Sequence, residues 1–248
     1  MPRRMRTLPL DARTCSGAER GQYPNKLGRP ERIPEGAVTL VDTSNDRIQL
    51  LSHADDRRVD VTLVFSGDEP TRVIDRLATL TALEEDVSFR NDKEGLLGIR
   101  VARQLEAPDD TPTRRTAADG SGREENYADS EGVNGLYRSS TGLEGDPVWA
   151  TRGDWVKLSG TLRGETVSLV ILDHPANPGY PTYWHARGYG LFAANTLGQA
   201  AFSEGKDTLD FKLAAGESAT FRYRVLIHSP EPVGDEWVNE RFRVFAAG

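Results

Sequence analysis

The sequence predicts an all-β fold: a large antiparallel β-sandwich closed by a short C-terminal helix. Three observations carry that expectation. Short β-branched and aromatic runs recur from Val38 to His228, separated by Gly, Pro, Asn and Asp turn residues. These runs do not alternate with helical segments, so the βαβ rhythm of a parallel sheet is missing. Only the last stretch, GDEWVNERFRVFAAG, carries a clear helical stripe.

Residues 1–36 are rich in Arg, Pro and Gly without periodicity and read as a loosely held arm. Residues 37–248 read as a single sandwich domain. VTLVD, RIQLLSH and VDVTLVF are its first strands, and Val59, Val61, Leu63 and Phe65 share one face of the third. In TRVIDRLATLTALEEDVSFR, Val73, Leu77, Leu80 and Leu83 allow a helical stripe, while the alternation also suits a long edge strand. Strands on both sides favour the strand. GLLGIRVARQL follows as a strand with Leu97, Ile99 and Val101 on one face and Leu96, Gly98, Arg100 and Ala102 on the other.

A polar insert spans about residues 107–131, where apolar side chains almost vanish, and reads as a surface loop or disordered segment. WVKLSGTL and ETVSLVILD, joined by Arg163-Gly164, form a predicted hairpin. DTLDFKL and SATFRYRVLIH form a second predicted pair, joined by residues 214–217. The C-terminal helix places Val238, Phe242 and Phe245 on one stripe, with Asp235 and Glu236 suited to its N-terminal end.

Bulk properties exclude several classes. A net charge of −7 argues against a nucleic-acid partner, whose phosphates require a basic face. The single cysteine, Cys15, rules out an intrachain disulfide and a multi-thiolate zinc site. No apolar run reaches the ~20 residues a membrane span needs, and the N-terminal stretch lacks a secretory apolar core. A mean hydropathy of −0.54 agrees with that. The expected compartment is the cytoplasm, with no membrane partner; composition leaves the oligomeric state open.

LDHPANPGYPTYWHARGYGLFAANTLG, residues 172–198, is the chemically richest stretch. It holds Asp173, His174, Asn177, Trp184, His185, Arg187 and Asn195 among prolines, glycines and tyrosines, in a chain with only 8% aromatic residues. From Pro175 to Gly188 it follows neither strand nor helix periodicity, as functional or tightly packed loops do. Asp173, His174 and His185 invite a two-histidine, one-carboxylate metal site. Neighbours on a strand point to opposite faces, however, and no ligand spacing is recognisable, so the expectation is no metal and no other cofactor.

The same groups suit acid/base work on a sugar, with His185 as acid or base and His174 and Asp173 as partners. Trp184 would stack on the ring while Arg187 and Asn195 hold oxygens. Glu94, Arg100 and Arg152 are further ligand-binding candidates. Against this stands a structural reading in which Trp184 and the tyrosines are core and the histidines bond to loop carbonyls. No phosphate-binding glycine loop, Gly-x-Ser-x-Gly elbow or His-Glu-x-x-His helix is present.

KEGLLGIRVAR, GLEGDPVWATRGDWVKLSG, DHPANPGYPTYWHARGYGLFAANTLG and FRYRVLIH occur in this order. Together they resemble the PmoA-like family of bacterial proteins over about residues 70–230. The resemblance implies a β-sandwich, for which a super-sandwich of the galactose-mutarotase kind is the larger variant, and a setting beside sugar-related oxidoreductases and hydrolases. It adds Lys93 and Asn177 to the ligand-binding candidates. The family's "methane oxygenase" label echoes an integral membrane protein and does not suit a chain without a spanning helix. The His-Pro-His-His segment usual nearer the N-terminus of that family has no counterpart here.

The expected function is therefore binding of, or action on, a carbohydrate or sugar-derived acid in a cleft of the sandwich; whether turnover follows is open. The alternatives are a non-catalytic binding or interaction module and, third, a metal-dependent oxygenase.

Overall fold

Antiparallel pairing organises every sheet of the molecule. The computed structural model describes residues 39–44, 46–53, 56–93, 96–108, 113–116, 122–125 and 131–248. The strands are β1 (Thr39–Ser44), β2 (Arg47–His53), β3 (Arg57–Asp68), β4 (Thr71–Ala82), β5 (Val87–Ser88), β6 (Leu97–Arg100), β7 (Thr113–Thr116), β8 (Gly122–Glu125), β9 (Leu136–Ser139), β10 (Trp155–Leu162), β11 (Glu165–Asp173), β12 (Tyr183–Ala186), β13 (Leu191–Asn195), β14 (Lys212–Leu213) and β15 (Ser218–His228). The helices are α1 (Gln199–Phe202) and α2 (Asp235–Ala246).

An eight-stranded sheet in the order β1-β2-β3-β4-β15-β11-β10-β9 forms the middle layer. Alternation along its strands divides the apolar side chains between two faces. On β11, Leu169 and Ile171 pack with Trp184, Ala186, Phe192 and Ala194 of the three-stranded sheet β12-β13-β6. Val170 and Leu172 face the other way and pack with Val238 and Phe245 of α2. The order of layers is therefore helix, large sheet, small sheet. Among the described residues, no helix is long and apolar enough to cross a membrane.

The predicted all-β architecture and C-terminal helix are present. Val238, Phe242 and Phe245 do form the buried stripe of α2. The hairpin β10–β11 turns through Arg163 and Gly164, both with positive φ (54° and 88°), as the two-residue turn that matches strand twist requires.

Three local expectations are corrected. Residues 71–82 form a strand, but an interior one, bonded to β3 and β15 along its whole length. Residues 212–213 pair with β5 rather than with β15, Lys212 lying opposite Ser88 and Leu213 opposite Val87. Within the polar insert, β7 and β8 pair with each other, so main-chain hydrogen bonding supplies local order despite the scarcity of apolar side chains. The expected N-terminal arm, with Cys15, and Glu94 lie outside the described residues.

Candidate functional site

Pairing register fixes which side chains of the small sheet meet. His185 lies opposite Ala193, and Ala193 opposite Gly98; Tyr183 lies opposite Asn195, and Leu191 opposite Arg100. The Arg187 N–H donates to the Leu191 carbonyl at 3.2 Å, which continues the same pairing by one residue. Since Trp184, Ala186, Phe192 and Ala194 point into the core, alternation turns Tyr183, His185, Arg187, Ala193, Asn195, Gly98 and Arg100 to the opposite, outer face. The missing side chain of Gly98 and the methyl group of Ala193 leave that face low beside His185.

His185 is the centre of this face. Its Nε2 is 2.9 Å from the Tyr189 hydroxyl, and its ring packs edge-on against Phe202 with centroids 5.6 Å apart. It is only 6% exposed. Burial first, and then the positive charges of Arg187, Lys93 and Arg100, push its pKa down to about 4, the Lys93 main chain pulling the other way. The imidazole is therefore neutral near pH 7. Such a ring exchanges hydrogen bonds and protons through Tyr189 without adding a cation to the site.

The two guanidinium groups beside it are held by aromatic rings rather than by acids. Arg187 Cζ is 4.0 Å from the Trp149 ring centroid, and Arg100 Cζ is 5.3 Å from that of Tyr189. Arg100 also donates to the Tyr189 carbonyl at 2.9 Å. Among the described residues, Arg187, Arg100 and Lys93 make no ion pair. Asn195 Nδ2 bonds to the Lys93 carbonyl. Two buried polar atoms, Asn195 Oδ1 and Trp149 Nε1, have no protein partner there. A hollow of about 310 Å³ lies on the same side, walled by Tyr183, Phe202, Ser203, Glu204, Lys206 and Asp207 together with Ala150. Tyr183 and Phe202 stack with centroids 5.9 Å apart, and the Tyr183 hydroxyl donates to Asp207 at 2.6 Å.

The other candidates lie elsewhere. Asp173 faces the interior between the sheets, fully buried, its oxygens accepting from Asn177 Nδ2 (2.7 Å) and the Thr182 N–H (2.8 Å). Desolvation lifts its pKa to about 7 against the pull of those bonds. Asn177 binds both main-chain groups of Arg222, donating to its carbonyl at 2.8 Å and accepting from its N–H at 2.7 Å. That ties the crossover to β15. Arg152 donates to the carbonyls of Pro181, Gly179 and Tyr180 and pairs with Asp207 at 3.6 Å, a second tie of the same loop.

Trp184 is wholly buried and donates to the Gly153 carbonyl at 3.0 Å, so it is core and no ring of a ligand can stack on it. His174 follows Asp173 with opposite orientation and packs on Phe245 of α2, centroids 5.0 Å apart. It therefore lies across the large sheet from His185. The expected pairing of the two imidazoles, and any metal site joining them with Asp173, fails on this geometry. Among the described residues no three His, Cys, Asp or Glu side chains are grouped to hold a metal ion.

The structure thus brings together His185, Arg187, Asn195, Arg100 and Lys93. It separates them from Asp173, His174, Asn177 and Trp184, while Arg152 adjoins the neighbouring hollow through Asp207 and the Tyr183 ring. Sequence reasoning missed Trp149, Phe202 and Asp207. Trp149 follows a 3₁₀ turn at Asp146–Val148 and Phe202 sits on the four-residue α1, so neither shows in a periodic pattern.

Residues 54–242 match the model of a family of unknown function, DUF6807. No curated protein matches the chain.

Proposed function

The chain belongs to the DUF6807 family, whose function is unknown, and from the outer face of the small sheet we propose a binding site for a carbohydrate or sugar-derived acid. The observation that carries the reading is the cluster of three cations, Arg187, Arg100 and Lys93, without acid partners around one neutral imidazole. A ligand carboxylate supplies the missing negative charge, and a guanidinium presents paired donors to it. Sugar hydroxyls find Asp207 and Ser203, with ring surfaces from Tyr183 and Phe202. Tyr189 and His185 form the proton path if a reaction follows binding.

The resemblance to PmoA-like proteins, with their sugar-related setting, supports the same ligand class. The reading is of a bacterial cytoplasmic protein with a small-molecule ligand and neither nucleic-acid nor membrane partner. Calorimetric titration with glucuronate, galacturonate and gluconate, with glucose as the uncharged control, tests it. The acids bind saturably and glucose binds more weakly. Absence of saturable binding by every acid would overturn the reading.

A further inference from the structure

On the opposite side of the molecule, a pocket of about 280 Å³ lies between β3, β4, β15 and the end of α2. Val64, Leu77, Val244 and Phe245 give it apolar walls, with Leu77 36% and Val244 68% exposed. His174, Arg222, Arg224, Arg76 and Asp75 supply its polar part.

The hydrogen bonding of His174 is incomplete in a defined way. Its Nδ1 accepts the Ala176 N–H at 3.0 Å, so that nitrogen carries the lone pair and a neutral ring carries its proton on Nε2. Burial and the nearby Arg222 charge both disfavour the charged ring. Nε2 is buried with no partner; the Phe245 carbonyl, which favours the charged form, makes no hydrogen bond of normal geometry with it. His174 is 5% exposed, so this N–H is a donor withdrawn from water.

Arg222 is short of an acceptor as well. Its main chain is bound by Asn177, but among the described residues its guanidinium makes no hydrogen bond or ion pair. The one side-chain carboxylate among the described lining residues, Asp75, is engaged by Arg224 at 2.6 and 2.8 Å and so does not neutralise Arg222. The wall thus offers two donors and a net positive charge, facing apolar surface, with no side-chain carboxylate free to pair with them.

We propose that this pocket binds a small amphipathic monocarboxylate, its carboxylate taken by Arg222 and His174 Nε2 and its apolar body laid against Leu77, Val244 and Phe245. A purely inorganic anion would satisfy the donors but leave the apolar wall unused. A neutral amide would cover the wall but leave the guanidinium unpaired. The site is separate from the outer face around His185 and stands or falls independently of it.

The test uses the full chain and titrates benzoate and hexanoate, with benzamide, hexanamide and inorganic sulfate as controls. It is followed by calorimetry and by the ring ¹⁵N resonances of His174. Saturable binding of the carboxylates, tighter than amide or sulfate, with a shift at His174 Nε2 is expected. Arg222→Gln should weaken binding by about tenfold or more, the worth of one charge-assisted hydrogen bond. Val244→Asp, on an exposed position that does not threaten the fold, should do the same by placing a negative charge at the rim. Arg187→Gln should leave this binding unchanged. No saturable binding, equal binding of the amides, or insensitivity to both pocket variants would overturn the proposal.

Discussion

Arg187 Cζ lies 4.0 Å from the centroid of the Trp149 indole ring, and Trp149 comes from a loop far from Arg187 in sequence. An aromatic face attracts a guanidinium without neutralising it. Arg187 is thus positioned yet keeps its full charge for a ligand. Arg187→Gln should weaken sugar-acid binding by about tenfold to a hundredfold with little change in stability. Calorimetry beside a thermal melt checks both halves. Arg187→Lys should rescue only part of the loss, because an ammonium has neither the planar fork nor the same stacking on indole.

Gly98 tests whether the low ground beside His185 matters. A Cβ there meets Ala193 Cβ at 3.7 Å and the Leu191 side chain at 3.8 Å, ordinary contacts that need no backbone shift. Val suits a strand, so Gly98→Val should fold with stability near that of wild type. Its branched side chain would fill the floor next to His185. Binding of sugar acids should fall sharply while the melting temperature stays; unchanged affinity would remove this face from the site.

Acid should act on the fold through His185. Its pKa falls from 6.5 in the unfolded chain to about 4 in the folded one, so between those values the unfolded state binds more protons. The stability tied to its neutral form is fully present above pH 6.5 and is lost as pH falls toward 4. Urea denaturation of wild type and His185→Gln across pH 4 to 7 should show a steeper acid loss for wild type.

Asp173 acts with the opposite sign. Its folded pKa is raised from 3.8 to about 7, so the folded state holds the extra proton in that window and stability falls as pH rises through it. Both oxygens accept hydrogen bonds, and an amide at this position must turn a donor toward either Asn177 or Thr182. Asp173→Asn should cost about 1–3 kcal/mol. Its deficit relative to wild type should be larger near pH 4.5 than near pH 7.5 in chemical denaturation.

Much of the fold was legible because alternation is a local signal. The faces of Leu97, Ile99, Gly98 and Arg100 could be assigned before any pairing was known, and the Arg163-Gly164 turn announced its hairpin. The candidate site was legible in part for the same reason. His185, Arg187 and Arg100 lie on strands or their continuations, so their faces follow from periodicity once the sheet is known. What failed was long-range. Nothing local distinguishes His174, turned toward α2, from His185, turned away from the core on another sheet. Polar residues in the crossover looked like ligands because tying an irregular loop takes the same chemistry: Asn177 and Arg152 spend theirs on main chain. Trp184 and Trp149 are alike in composition, and only packing decides which one is core.

The central claim is that the face bearing His185 receives the ligand. Following the ring ¹⁵N resonances of the histidines during titration with galacturonate tests it most directly. The account predicts that His185 shifts saturably, that His174 does not, and that Arg187→Gln moves the His185 shift to ligand concentrations about tenfold to a hundredfold higher. A His185 resonance unmoved at saturation, with the ligand demonstrably bound, would contradict it.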